Sequence, residues 1–132
     1  MDQTTRTIVN PYVPASGPLS ITADAKDEKN GNASHLYCIQ RQRRSAGAKP
    51  NDMANACVIS FQRGPLGENV PNGISNESLI AIVIDRLECF NDGPFRCREN
   101  SLAITALEEA LHWMHHRTMK RQSLGLEGKS KP

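Results

Sequence analysis

Residues 88–100 read ECFNDGPFRCREN, a stretch that puts two aromatic rings, a turn and two arginines between runs of helix-forming residues. Phe90 and Phe95 offer flat apolar faces on which a base can stack. Asn100 carries paired donor and acceptor atoms able to read a base edge or a ribose hydroxyl. Arg96 and Arg98 fall in the first turns of the helix expected to follow, where the helix dipole is already positive and a cation is mildly unfavourable. An anion at that terminus reverses the sign, because free backbone N–H groups and guanidinium forks both favour phosphate. The other reading of the same residues is a packing corner: the phenylalanines close a hairpin core, Glu99 pairs the arginines, and Asn100 is solvated.

Two further groups stand on the next helix. In EEALHWMHHR, Glu109 and His112 have Glu-x-x-His spacing, and His112, His115 and His116 lie on adjacent turns. Di-iron bundles point such pairs inward from several helices. Here there is one pair and no histidine on the preceding helix, so polar surface or interface histidines are expected and no metal site. Arg117, with Lys120 and Arg121, suits the negative end of a helix dipole, or would hold phosphates where symmetry gathers several copies. No Walker loop, dinucleotide fingerprint, nucleophile elbow or catalytic carboxylate pair occurs. No catalytic residue and no cofactor are therefore expected.

The elements that must position these groups are legible in outline. Ser75 suits an N-cap with Glu77 near the positive helix end, opening a helix from about Asn76 to Phe90. Its apolar residues cover more than one narrow stripe, which predicts neighbours on two sides. Asn91 and Asp92 stop it, Gly93 supplies conformational freedom, and Pro94 suits the first position of a second helix ending near Arg121. The second helix is much the longer, so its distal part has no cover from its own chain and oligomerisation is expected. Upstream, HLYCIQRQR alternates as a half-exposed strand does, and ACVISFQ is its natural antiparallel partner across a loop rich in turn-formers. The expected organisation is a flexible arm over 1–33, an antiparallel β-region over 34–74, a helical hairpin over 75–122 and a frayed tail over 123–132. Within the arm, TIVNPYV is at most an edge strand or a clasp, since Pro11 and Pro14 argue against a central one. The fold class is α+β.

The chain has 132 residues and a formal net charge of +2, too mild a balance to announce a nucleic-acid polymer as partner. Basic residues cluster at Arg41, Arg43, Arg44 and Lys49, and again from Arg117 to Lys131, with an acidic helix between them. Cys38, Cys57, Cys89 and Cys97 match no zinc spacing. With no apolar leader after MDQTTR, they are expected to be reduced thiols in a cytosol. The longest apolar run, Leu79–Ile84, is far short of the ~20 residues that span a bilayer.

The run ISNESLIAIVIDRLECFNDGPFRCREN through ALEEALHWMHHRT resembles the helical hairpin of phage Thoeris anti-defence proteins of the first type. More distantly it resembles the anti-CBASS sponges of the second type. ISFQRGPL is similar to the strand and turn before that hairpin, whereas GENVPNG and the N-terminal arm depart from the pattern. The resemblance implies a non-enzymatic sponge in the cytoplasm of the infected bacterial host, sequestering cyclic nucleotide messengers made by a defence system. The implied partners are glycocyclic ADP-ribose at a dimer interface and, in hexameric members, cyclic trinucleotides at separate sites. It places Phe90 at the base-stacking aromatic, Asn100 at the ligand-binding asparagine and Arg117 near the arginine of the trinucleotide site. Arg98 and the second helix N-terminus are then expected to neutralise pyrophosphate, in a dimer or trimer of dimers. The alternatives are an enzyme degrading the same messengers, and a structural or DNA-associated helical module.

Overall fold

The computed structural model describes residues 5–14, 17–43, 47, 49, 52–64 and 70–125. Arg44, most of the RGPLGENV segment, and the tail beyond Gly125 with its lysines lie outside these. The chain divides between Arg63 and Gly64 into two compact units. The first is a four-stranded antiparallel sheet and the second a two-helix hairpin, an α+β arrangement.

The sheet is an up-and-down meander of β1 (Arg6–Thr7), β2 (Leu19–Ala23), β3 (Leu36–Gln42) and β4 (Met53–Ser60). The expected hairpin of HLYCIQRQR and ACVISFQ is β3 against β4, with Tyr37 opposite Ile59 and a register shift between Ile39 and Gln40. Past the end of β4, the Phe61 ring meets Tyr37 edge-on at 5.5 Å.

The segment expected to be a flexible arm instead contributes two strands. Its β2 pairs with β3 along its whole length, from Leu19 opposite Arg41 to Ala23 opposite Tyr37, and β1 adds the short outer edge. The arm's apolar content is low, but what buries in it and just after it is small or polar: Ala23, Ser20, Ser34 and His35. Backbone pairing and a polar network order it, and neither registers in a count of apolar residues.

That network runs through the β2–β3 connection. The Arg6 guanidinium donates to Ser34 Oγ at 2.7 and 3.1 Å, and Ser34 Oγ donates to the Asp24 carbonyl oxygen at 2.7 Å. Asp24 Oδ1 accepts the amides of His35 and Leu36. Asp27 accepts from the Lys29 amide and the Asn30 side chain, and lies 3.1 Å from His35 Nε2. The Asn30 hydrogen bond, with lesser help from the Lys29 amide and His35, outweighs partial desolvation and holds the Asp27 carboxyl below its ordinary value.

In the second unit, α1 (Asn76–Asn91) opens on Ser75, whose hydroxyl accepts the Ser78 amide at 3.2 Å as its N-cap role requires. The partner helix, α2 (Arg98–Ser123), has 26 residues to the 16 of α1. These lengths correspond to about 39 and 24 Å at ~1.5 Å per residue. Neither helix contains a buried residue. Ile82, Leu102, Trp113 and Met119 are each more than half exposed. Among the described residues no helix is long and apolar enough to cross a membrane.

The expected start of the second helix at Pro94 is corrected: α2 begins at Arg98, after an extended Cys97. Asn91 explains the shift. Its Oδ1 accepts the Cys97 amide at 3.3 Å and its Nδ2 donates to Ser101 Oγ at 3.0 Å, which pins 93–97 as a turn outside the helix. Gly93 is not at positive φ, and an added Cβ would meet only ordinary contact, 3.7 Å from the Cys89 carbonyl oxygen. Its conformational freedom is therefore not what makes the bend.

Candidate ligand-binding site

The end of α1, the turn and the first residues of α2 gather most of the chemistry singled out above. Phe90, the penultimate residue of α1, is half-buried, and its ring meets Phe95 edge-to-face at 6.0 Å and 81°. Phe95 is 70% exposed in the turn. The phenylalanines thus touch, as a packing corner requires, yet leave aromatic surface open to solvent, as a stacking platform requires.

Asn100 is half-buried rather than solvated. Its Nδ2 donates to the Phe95 carbonyl oxygen at 3.1 Å. One N–H therefore fixes the amide plane against the turn. Among the described residues its carbonyl oxygen and second N–H are uncommitted, and those are the atoms that read a base edge.

The two arginines separate in role. Arg96 lies before α2, not in its first turn, and its Nε donates to the Asn91 carbonyl oxygen at 2.9 Å. It thereby satisfies an orphan carbonyl at the negative end of α1, where a cation is stabilising. The apparent conflict with the helix dipole is resolved by geometry, and Glu99 is not needed as its partner. Arg98 is the first residue of α2 and is exposed. Cys97, the N-cap, makes no side-chain capping hydrogen bond, so the amides of that first turn have no cap from it and Arg98 adds a positive charge beside them.

Two residues that shape the turn, Arg86 and Asn91, do not stand out by type in the sequence. Arg86 stands one turn before Phe90 and its guanidinium lies over the Phe90 ring, 5.1 Å from the centroid. The signal was the four-residue spacing of an arginine and an aromatic on one helix. Asn91 does more than stop α1, because its side chain braces both helices at the turn.

Arg117 lies elsewhere. It is 17 residues beyond Asn100 on α2, about 25 Å along the axis at ~1.5 Å per residue. Near it, His112 and His116 both meet the Trp113 ring edge-on, at 5.6 and 5.8 Å. Among the described residues no group of three metal-binding side chains converges.

The model of the Acb2/Tad1 hairpin-domain family matches residues 53–119, which include β4, α1, the turn and most of α2. The chain is also similar to Thoeris anti-defense 1 of Bacillus phage SBSphiJ7, at 53% identity over 71 residues. That alignment covers 54% of this chain and 50% of the phage protein, so the chain spans about half the length of the curated relative it matches.

Proposed function

The chain belongs to the Acb2/Tad1 hairpin-domain family, and from that premise we propose that it is a phage anti-defence sponge, binding cyclic nucleotide immune messengers without cleaving them. The observation that carries this reading is the turn itself, a half-buried Phe90 beside an exposed Phe95, a fixed amide and uncommitted positive charge within the family-matched segment. Phe90 stacks the adenine of glycocyclic ADP-ribose and Asn100 hydrogen-bonds the ligand. Arg98 and the first turn of α2 neutralise the pyrophosphate.

Desolvating a charged dinucleotide is costly, so capture requires these groups to be preorganised and enclosed. The hydrogen bonds of Asn91, Arg96 and Asn100 supply the preorganisation. A second copy supplies the enclosure, and the exposed apolar residues of both helices favour a dimer or a trimer of dimers. Arg117 is the residue for a separate cyclic trinucleotide site in the larger assembly. The protein works in the cytoplasm of the infected bacterium, where the messengers are made. Titration calorimetry with glycocyclic ADP-ribose tests the reading: saturable heat at a fixed stoichiometry per dimer is expected. No binding of that ligand or of any cyclic trinucleotide would end it.

A further inference from the structure

The bend region holds three arginines that differ in what they already do. Arg96 is spent on the Asn91 carbonyl oxygen. Arg98 lies at the start of α2. Arg86 is exposed and forms no ion pair among the described residues; its guanidinium instead rests over the Phe90 ring at 5.1 Å from the centroid. Its helical neighbours three and four residues away are Ile82, Val83, Cys89 and Phe90, so no carboxylate on that face competes for the charge.

We infer that Arg86 is a specificity-determining residue of the stacking site: it contacts the phosphate adjoining the base held on Phe90, and so selects a nucleotide over an uncharged nucleoside. This rests on the sponge reading above. A base stacked on Phe90 carries its sugar and first phosphate within a few ångströms of the ring edge, inside the reach of a guanidinium tethered over that ring. Docking on the ring also holds the flexible arginine stem near its binding position before ligand arrives, which lowers the ordering cost of the contact. The planar fork of an arginine suits two phosphate oxygens at once, as a lysine does not.

The test compares wild type, Arg86→Lys and Arg86→Gln by calorimetry with glycocyclic ADP-ribose. Titrations run at roughly 0.01 M and roughly 0.15 M salt, between which the screening length falls from about 30 to about 8 Å. Circular dichroism melts check that each variant is folded. Arg86→Gln is expected to bind about tenfold more weakly at low salt with a shallower salt dependence, and Arg86→Lys to fall between. Equal affinity and equal salt dependence in Arg86→Gln and wild type would overturn the inference while leaving the sponge reading intact. Weaker binding with an unchanged salt dependence would overturn it too, reducing Arg86 to a prop for Phe90. Absence of binding by wild type would remove both.

Discussion

Asn91→Ala isolates the brace that sets the turn. The substitution removes two neutral hydrogen bonds, Cys97 N–H to Oδ1 at 3.3 Å and Nδ2 to Ser101 Oγ at 3.0 Å, while leaving the backbone carbonyl that Arg96 holds. Each such bond is worth about 0.5–1.5 kcal/mol net. Because the site is partly exposed the lower half of that range applies, giving a loss of about 1–2 kcal/mol. For a domain of this size that is a fall in midpoint of roughly 5–10 °C. The assay is thermal unfolding followed by circular dichroism at one protein concentration, since the proposed assembly would make the midpoint concentration-dependent. Ser101→Ala breaks only one of the two bonds and is expected to cost about half as much, and Asn91→Asp, which keeps an acceptor for both partners near the α2 N-terminus, to stay close to wild type. A midpoint for Asn91→Ala equal to wild type would show that these two bonds do not brace the turn. A Ser101→Ala loss as large as that of Asn91→Ala would show that the Cys97 bond does not.

Three other outcomes are expected. The Asp27 carboxyl is held below its ordinary value in the folded sheet, so its contribution is present above the unfolded carboxyl value near ~4 and is lost as pH falls through the lower folded value; Asp27→Asn should flatten that acid limb in pH-dependent melts, and an unchanged limb would contradict it. Glutamate at the exposed Ile82 or Leu102, 64% and 51% exposed in a single chain, should shift the mass measured by light scattering toward monomer without unfolding the helices; an unaltered assembly would place the interface elsewhere. Arg117→Ala should weaken cyclic trinucleotide binding at least tenfold, the scale of one lost charge-assisted contact, and leave glycocyclic ADP-ribose titrations unchanged; equal loss of both would merge the two sites.

What the chain reveals without coordinates follows from how local each signal is. Ser75 and its hydrogen bond to Ser78, the alternation of β3 and β4, and the stop near Asn91 depend on neighbours within a turn or a hairpin, and all were legible. The strand Leu19–Ala23 was not, because the residues it buries, Ser20 and Ala23, are small and its large apolar Leu19 is exposed. Pro94 drew the second helix too early: its fitness for a first helical position is real, but the side chain of Asn91 decides the outcome by claiming the Cys97 amide. The same displacement freed Arg96 from the helix and turned an electrostatic puzzle into a cap on α1. Phe90 and Asn100 stand out by type, whereas Arg86 is marked in the sequence only by its four-residue spacing from Phe90, and its place over the ring gives that spacing its meaning.

A sponge differs from an enzyme in that the turn captures a messenger and keeps it whole. The most direct measurement incubates the protein with glycocyclic ADP-ribose, removes unbound ligand, heat-denatures the complex and resolves the supernatant by mass spectrometry. Intact messenger is predicted from wild type, and none above background from Phe90→Ala or Asn100→Ala at unchanged assembly mass. A hydrolysed product from wild type would make the protein an enzyme, and full capture by both variants would move the site away from the turn.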